Sequence, residues 1–285
     1  MTVTITEVVL RDGLQDEPVV VGVADRIAIA EALADSGIRH IEAGSFVNPE
    51  RVPQMAGADE LATALPRAGE VRYSFLALNG RGVRRAVEAG AENVLVVASA
   101  SGGHSRANAG RDVDAAIEDV ARAVGENPAT SFIAGVSTAF VCPFDGDVPA
   151  DRLLSVAERF AAMGVRRIGL ADTLGTATTD HVVRSLGAVR DALPDVELSL
   201  HLHNARGQAL STVDAAIDLG VVHFDSATDG YGGCPFAPGA HGNIATEDLV
   251  AHLHSRGIPT GVDETALATA SELLERALAR AVPAV

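Results

Sequence analysis

Two histidines, His201 and His203, stand two residues apart in the run ELSLHLH. In a strand, residues i and i+2 project from the same face, so both imidazoles point one way while Leu202 points the other. Alone, such a pair could equally be two satisfied structural histidines. Its weight comes from the polar residues that close other apolar runs: Arg11 and Asp12, Glu42, the stretch from residue 99 to 108, residues 140–145, Asp172 with Thr173, and Asp225. A second chemistry-bearing stretch is DGYGGCPFAPGAHGN, residues 229–243, in which five glycines and two prolines surround Cys234 and lead to Asn243. Glycine lets a backbone approach a bound molecule closely, and a loop of this length inside a compact domain usually carries function. Asp12, His201, His203 and Asn243 together offer a carboxylate, two imidazoles and an amide oxygen. That mixed set suits an open Mg²⁺ or Mn²⁺ site better than a closed structural zinc site.

These residues can meet only if the intervening chain brings strand ends together. Apolar, β-branched runs recur over residues 3–10, 38–43, 71–78, 93–98, 131–140, 167–171, 197–203 and 222–226. Amphipathic, alanine-rich stretches follow them, for example over residues 24–35, 82–89, 113–124, 151–163, 180–192, 208–219 and 246–255. Alternation of this kind predicts βα units and a parallel sheet. Eight units over this length favour a closed (β/α)₈ TIM barrel over an open doubly wound sheet, and no GxGxxG follows the first run. Gly37, Gly90, Gly164 and Gly220 each follow a helical stretch and read as C-caps. In a closed barrel the seventh, eighth and first strands are neighbours, so Asp12 and Asn243 can approach His201 and His203, and polar residues at the carboxyl ends share one rim. An additional C-terminal helix over residues 264–281 is expected to cover a barrel end or a partner subunit. No linker or charge block divides the chain, so residues 1–285 are expected to form one domain.

Composition narrows the function. A chain of 285 residues with 47% hydrophobic content can bury a large core, and its net charge of -16 opposes nucleic-acid binding, which needs clustered Lys and Arg. Two cysteines without a spacing pattern suit a reducing compartment rather than a disulfide framework. There is no basic segment followed by an apolar leader and no stretch long enough to span a bilayer, so a cytoplasmic protein without a membrane partner is expected.

The stretches RDGLQDEP (residues 11–18), IEAGSFVNPERVPQMAGADEL (41–61), STAFVCPFDGDV (137–148), LADTLG (170–175), HLHNARGQAL (201–210) and GYGGCPFAPGAHGNIATEDLV (230–250) are similar to those of the 3-hydroxy-3-methylglutaryl-CoA lyases, metal-dependent TIM-barrel lyases. RDG and HxH are shared with related synthases; the cysteine loop is the more specific match. The resemblance implies a divalent metal, Mg²⁺ or Mn²⁺, on Asp12, His201, His203 and Asn243. It implies an enolate-stabilising role for Arg11, proton transfer by Cys234 and support from Glu42 and Asp172, with His201 as the base or part of its relay. Gln15, Ser99, His104 and Asn108 are the expected substrate-binding residues. The implied reaction is retro-Claisen cleavage of a 3-hydroxyacyl-CoA, most simply 3-hydroxy-3-methylglutaryl-CoA to acetyl-CoA and acetoacetate, by a homo-oligomeric enzyme. HLHNARGQ departs from the family's HCHDTYGQ, and Pro18 replaces a lysine associated with coenzyme A. The acyl group therefore stays open between this substrate and a relative such as citramalyl-CoA. A Claisen-type synthase reaction and a non-catalytic metal-binding barrel are also compatible with these residues.

Overall fold

The structure is a computed structural model and describes residues 1–66, 69–233 and 242–284. Each of the eight apolar runs forms a strand: β1 (Thr4–Glu7), β2 (His40–Ser45), β3 (Arg72–Ala77), β4 (Asn93–Ser99), β5 (Ser131–Ser137), β6 (Arg167–Asp172), β7 (Glu197–Leu202) and β8 (His223–Ser226). All pair in parallel in the order β1-β8-β7-β6-β5-β4-β3-β2, and β2 closes the ring on β1. Alternation decides the faces. In β4, Val94, Val96 and Ala98 are buried against the outer layer, while Asn93, Leu95 and Val97 line the barrel's interior.

The outer layer consists of α1 (Val23–Asp35), α2 (Ala58–Ala64), α3 (Gly80–Glu88), α4 (Gly102–Ala109), α5 (Val113–Glu126), α6 (Ala150–Ala162), α7 (Thr179–Ala192), α8 (Ala209–Asp218), α9 (Thr246–Ser255) and α10 (Glu264–Arg280). The four glycine C-caps adopt positive φ, from 81° at Gly90 to 101° at Gly37. The C-terminal α10 buries Leu267, Ala270, Leu274 and Ala277 and packs beside α1, with Arg280 paired to Asp25. It thickens the outer layer rather than covering a barrel end. Among the described residues no helix is long and apolar enough to cross a membrane.

Three departures from the sequence reading shape the site. The first strand stops at Glu7, whose carboxylate accepts the N–H of Val9 at 2.9 Å and so removes it from the ladder. The chain then makes a π-helical turn over Val9–Gly13, in which the N–H groups of Arg11, Asp12 and Gly13 all point to the Val8 carbonyl. The fifth strand ends at Ser137 because Thr138 takes φ 48°, which breaks the extended chain. Within the polar stretch after β4 lies α4, started by Ser101, whose hydroxyl accepts the His104 N–H at 3.2 Å. Two glycines in its first turn conceal it from propensity.

Candidate functional site

At the carboxyl ends of the strands opens a cavity of about 760 Å³ that continues down the barrel to Asn93, Ser199 and Arg167. Its mouth carries Arg11, Asp12, Glu42, His201 and His203, all from neighbouring strand ends as closure requires. Asp12, His201 and His203 each direct a ligand atom into one spot, with all three atoms within 4.8 Å of one another. Nε2 of His203 is 3.1 Å from Nε2 of His201; Oδ2 of Asp12 is 3.5 Å from the first and 3.7 Å from the second.

The fourth expected residue, Asn243, reaches the same place from the far side of the cysteine loop. Its Nδ2 donates to Asp12 Oδ2 at 2.7 Å and to the Tyr231 carbonyl at 3.0 Å, while its Oδ1 is buried with no partner among the described residues. A buried carbonyl oxygen without a donor is costly unless something electropositive meets it. An octahedral cation with bonds of about 2.1 Å spaces adjacent donors about 3 Å apart, close to the separations found here. The donor set therefore fits a hard divalent cation. A Cβ at Gly232 would lie 2.5 Å from Asn243 Nδ2 and 3.2 Å from Asp12 Oδ2, so only glycine lets the loop pass this close.

The electrostatics favour the charged form of two of these ligands, Asp12 and His201. Burial pushes the Asp12 carboxyl up, but the Arg11 guanidinium and the two imidazoles outweigh it and hold it well below the usual range. Burial alone would lower His201; the Asp225 carboxylate at its Nδ1, 3.3 Å away, and Asp12 raise it instead. Arg11 is held on two sides. Its Nε donates to Glu42 Oε1 at 2.6 Å and its Nη2 to Glu42 Oε2 at 3.1 Å, while Nη1 donates to Asp12. Glu42 is buried, which raises its carboxyl despite the guanidinium. The bidentate contact fixes the plane of the guanidinium at the cavity wall.

Of the expected substrate-binding residues, Gln15, His104 and Asn108 line the cavity. Ser99 does not line it; its hydroxyl lies 2.7 Å from the Thr138 hydroxyl and 3.2 Å from Nδ1 of His104, and so anchors that ring. Asp172 also stays out of the cavity wall. It is the register partner of Leu202, and its Oδ2 accepts the Ala177 N–H at 3.1 Å, holding the turn behind His203. Cys234 falls outside the described residues.

Several lining residues carried no expectation. Asp16, Arg51 and Gln54 face the cavity, and the Asp16 carboxyl is pushed up to about 6 by burial and by Asp12. Asp16 is a fourth residue beyond Asp12 in a turn whose direction propensity does not give. Asp225 was visible as a strand-end acid, and counting register from His201 would have paired them, since they are cross-strand partners.

A model of the HMGL-like family matches residues 2–274. The (R)-citramalyl-CoA lyase of Chloroflexus aurantiacus is 41% identical over 99% of this chain and 93% of its own. The hydroxymethylglutaryl-CoA lyase of Pseudomonas mevalonii is 42% identical over 93% of this chain and 89% of its own. Among solved structures, an HMG-CoA lyase from Acinetobacter baumannii in complex with coenzyme A and 3-methylmalate superposes with a TM-score of 0.92 at 38% identity, covering 99% of this chain and 93% of that one.

Proposed function

Since the chain belongs to the HMGL-like family and is a carbon–carbon lyase, we propose that it cleaves a 3-hydroxyacyl-CoA thioester by a retro-Claisen reaction. The simplest substrate is 3-hydroxy-3-methylglutaryl-CoA, split to acetyl-CoA and acetoacetate. One observation carries this reading: three converging ligand atoms lie beside a clamped guanidinium in one cavity, with the Asn243 amide bonded to Asp12, one of the three.

Asp12, His201, His203 and Asn243 would hold a divalent cation, Mg²⁺ or Mn²⁺, whose Lewis acidity would lower the pKa of the substrate's tertiary hydroxyl. The hydroxyl proton leaves, the C2–C3 bond breaks, and its electron pair passes into the thioester as an enolate. Arg11 faces that developing charge, and because Glu42 has already fixed its plane, little reorganisation accompanies the reaction. His201 has one lone pair for two tasks. With Nδ1–H turned to Asp225, Nε2 either joins the cation or takes the proton, and the carboxylate behind it strengthens both. Cys234 would return a proton to carbon, giving the acetyl thioester; this role rests on its place in the sequence motif. Arg51, Gln54 and Asn108 at the mouth offer polar contacts to the thioester's coenzyme A portion.

A second reading has a specific support: the citramalyl-CoA lyase matches this chain as well as the hydroxymethylglutaryl-CoA lyase does. The same machinery would then release pyruvate in place of acetoacetate. Incubating the Mg²⁺-loaded protein with both thioesters and identifying the keto acid decides between them. Acetoacetate from the first substrate, at a kcat/KM well above that for citramalyl-CoA, is the expected result. Turnover of neither, with cation bound, would overturn the lyase assignment for these substrates.

A further inference from the structure

Arg26, in the first turn of α1, is completely buried, yet it forms no ion pair among the described residues. A guanidinium without a carboxylate inside a protein core is costly to place there, so its contacts show what it is for. Among the described residues its bonds all go to backbone carbonyls. Nη2 donates to Ala43 at 2.8 Å and to Leu10 at 3.5 Å, and Nη1 donates to Ala56 at 3.2 Å.

Leu10 precedes Arg11 and Ala43 follows Glu42. Both carbonyls belong to irregular backbone. Leu10 sits in the π-helical turn, and Ala43 is the residue at which the β2–β3 register shifts. The third carbonyl, Ala56, closes the short turn after Gln54, which lines the cavity mouth. Arg26 therefore ties together, from behind the barrel wall, the segments that present Arg11, Glu42 and Gln54. Gly44 makes room for it, since a Cβ there would lie 2.8 Å from Nη2. Burial lowers the guanidinium to about 10, which still leaves it charged at neutral pH and able to donate to all three carbonyls.

We propose that Arg26 is a positioning residue for the lyase reaction: through the Leu10 and Ala43 carbonyls it sets the approach of the Arg11 guanidinium to Glu42, and so the direction in which Arg11 meets the enolate. This rests on the retro-Claisen reading. A displacement of about 1 Å at a catalytic group can cost on the order of a hundredfold in rate.

The test is kinetic. Arg26→Met removes the donors but keeps much of the apolar stem, and Arg26→Lys keeps a charged donor. In the Mg²⁺-loaded protein, Arg26→Met should lower kcat by about tenfold or more with KM little changed and with cation stoichiometry and circular dichroism as in the wild type. Arg26→Lys should restore most of kcat. In a Glu42→Gln background, whose clamp on Arg11 is already weakened, Arg26→Met should cost much less, because both changes act through one pair. An undiminished cost in that background, or a normal kcat for Arg26→Met, overturns the proposal. Should Arg26→Met fail to fold, Arg26→Gln, which keeps two donors, replaces it in the same cycle with the same criteria. A wild type inactive on every thioester would instead count against the lyase reading, which separates the two failures.

Discussion

His201 and Asp225 are register partners in the adjoining strands β7 and β8, and Nδ1 of His201 meets the Asp225 carboxylate at 3.3 Å. The pair fixes which ring nitrogen carries the proton and turns the other toward Asp12 and His203. Carboxylate-backed imidazoles bind cations more tightly, typically by about 10- to 100-fold over variants lacking the support. Asp225→Asn should therefore weaken Mn²⁺ binding within that range, measurable by titration calorimetry. The Asp225 contact raises His201, so protons compete with the cation up to a higher pH than for a free imidazole. In Asp225→Asn the onset of cation loss should move to lower pH, even though affinity at alkaline pH falls. An unchanged affinity at every pH would exclude this role.

Removal of the cation is a second test. Chelation should abolish turnover while circular dichroism stays unchanged, because the barrel's ladder and apolar core do not depend on the four ligands. His203→Ala should bind the cation far more weakly and lose turnover with it. Retained activity in metal-free protein would place the chemistry elsewhere.

Arg11 is the third. Arg11→Lys preserves charge but cannot make two parallel bonds to Glu42 at 2.6 and 3.1 Å. If Arg11 meets charge that develops during bond breaking, Arg11→Lys should lower kcat by on the order of a hundredfold with a smaller change in KM. The opposite split, a raised KM with normal kcat, would make Arg11 a ground-state binding residue.

Much of this site is readable from spacing. The i, i+2 histidines and ring closure bring Asp12, His201 and His203 together, and strand parity puts Glu42 on the same wall. Parity also explains why Asp172 stays out of the cavity wall and holds the turn behind His203: it pairs in register with Leu202, while Ala171 faces the cavity. What propensity could not give are the backbone irregularities. The π-helical turn at Val9–Gly13 depends on the Glu7 carboxylate diverting an N–H, and the register shift at Ala43 is met by Arg26 from a distant helix. Those are tertiary contacts, and the two residues they place, Arg11 and Glu42, are the ones whose mutual geometry was unreadable.

Cys234 supplies a test that depends on sequence alone. A thiol can give up a proton near neutral pH, whereas a serine hydroxyl is far too weak an acid to do so at a useful rate. Cys234→Ser should bind the cation normally and lose about a hundredfold or more in turnover. Near-normal turnover would remove Cys234 from the proton transfer.

The last expectation concerns Glu7, fully buried at the end of β1. Its Oε1 accepts the N–H groups of Val9 and Thr228, each at 2.9 Å; its Oε2 accepts the hydroxyls of Thr228 at 3.0 Å and Thr246 at 2.7 Å. It thus binds the first strand to both flanks of the cysteine loop. Burial pushes its carboxyl up from 4.5 to about 7 against these four bonds. The folded state then holds more protons than the unfolded state between about pH 4.5 and 7, so Glu7's contribution to stability is complete below that window and is lost as pH rises through it. The loss amounts to about 3 kcal/mol. Glu7→Gln keeps the acceptor for both N–H groups, and its amide can donate to the two hydroxyls once they rotate. The variant should fold, and its melting temperature should be flatter than the wild type's across pH 4.5 to 7. Parallel pH profiles for the two proteins would show that Glu7 does not titrate in this window.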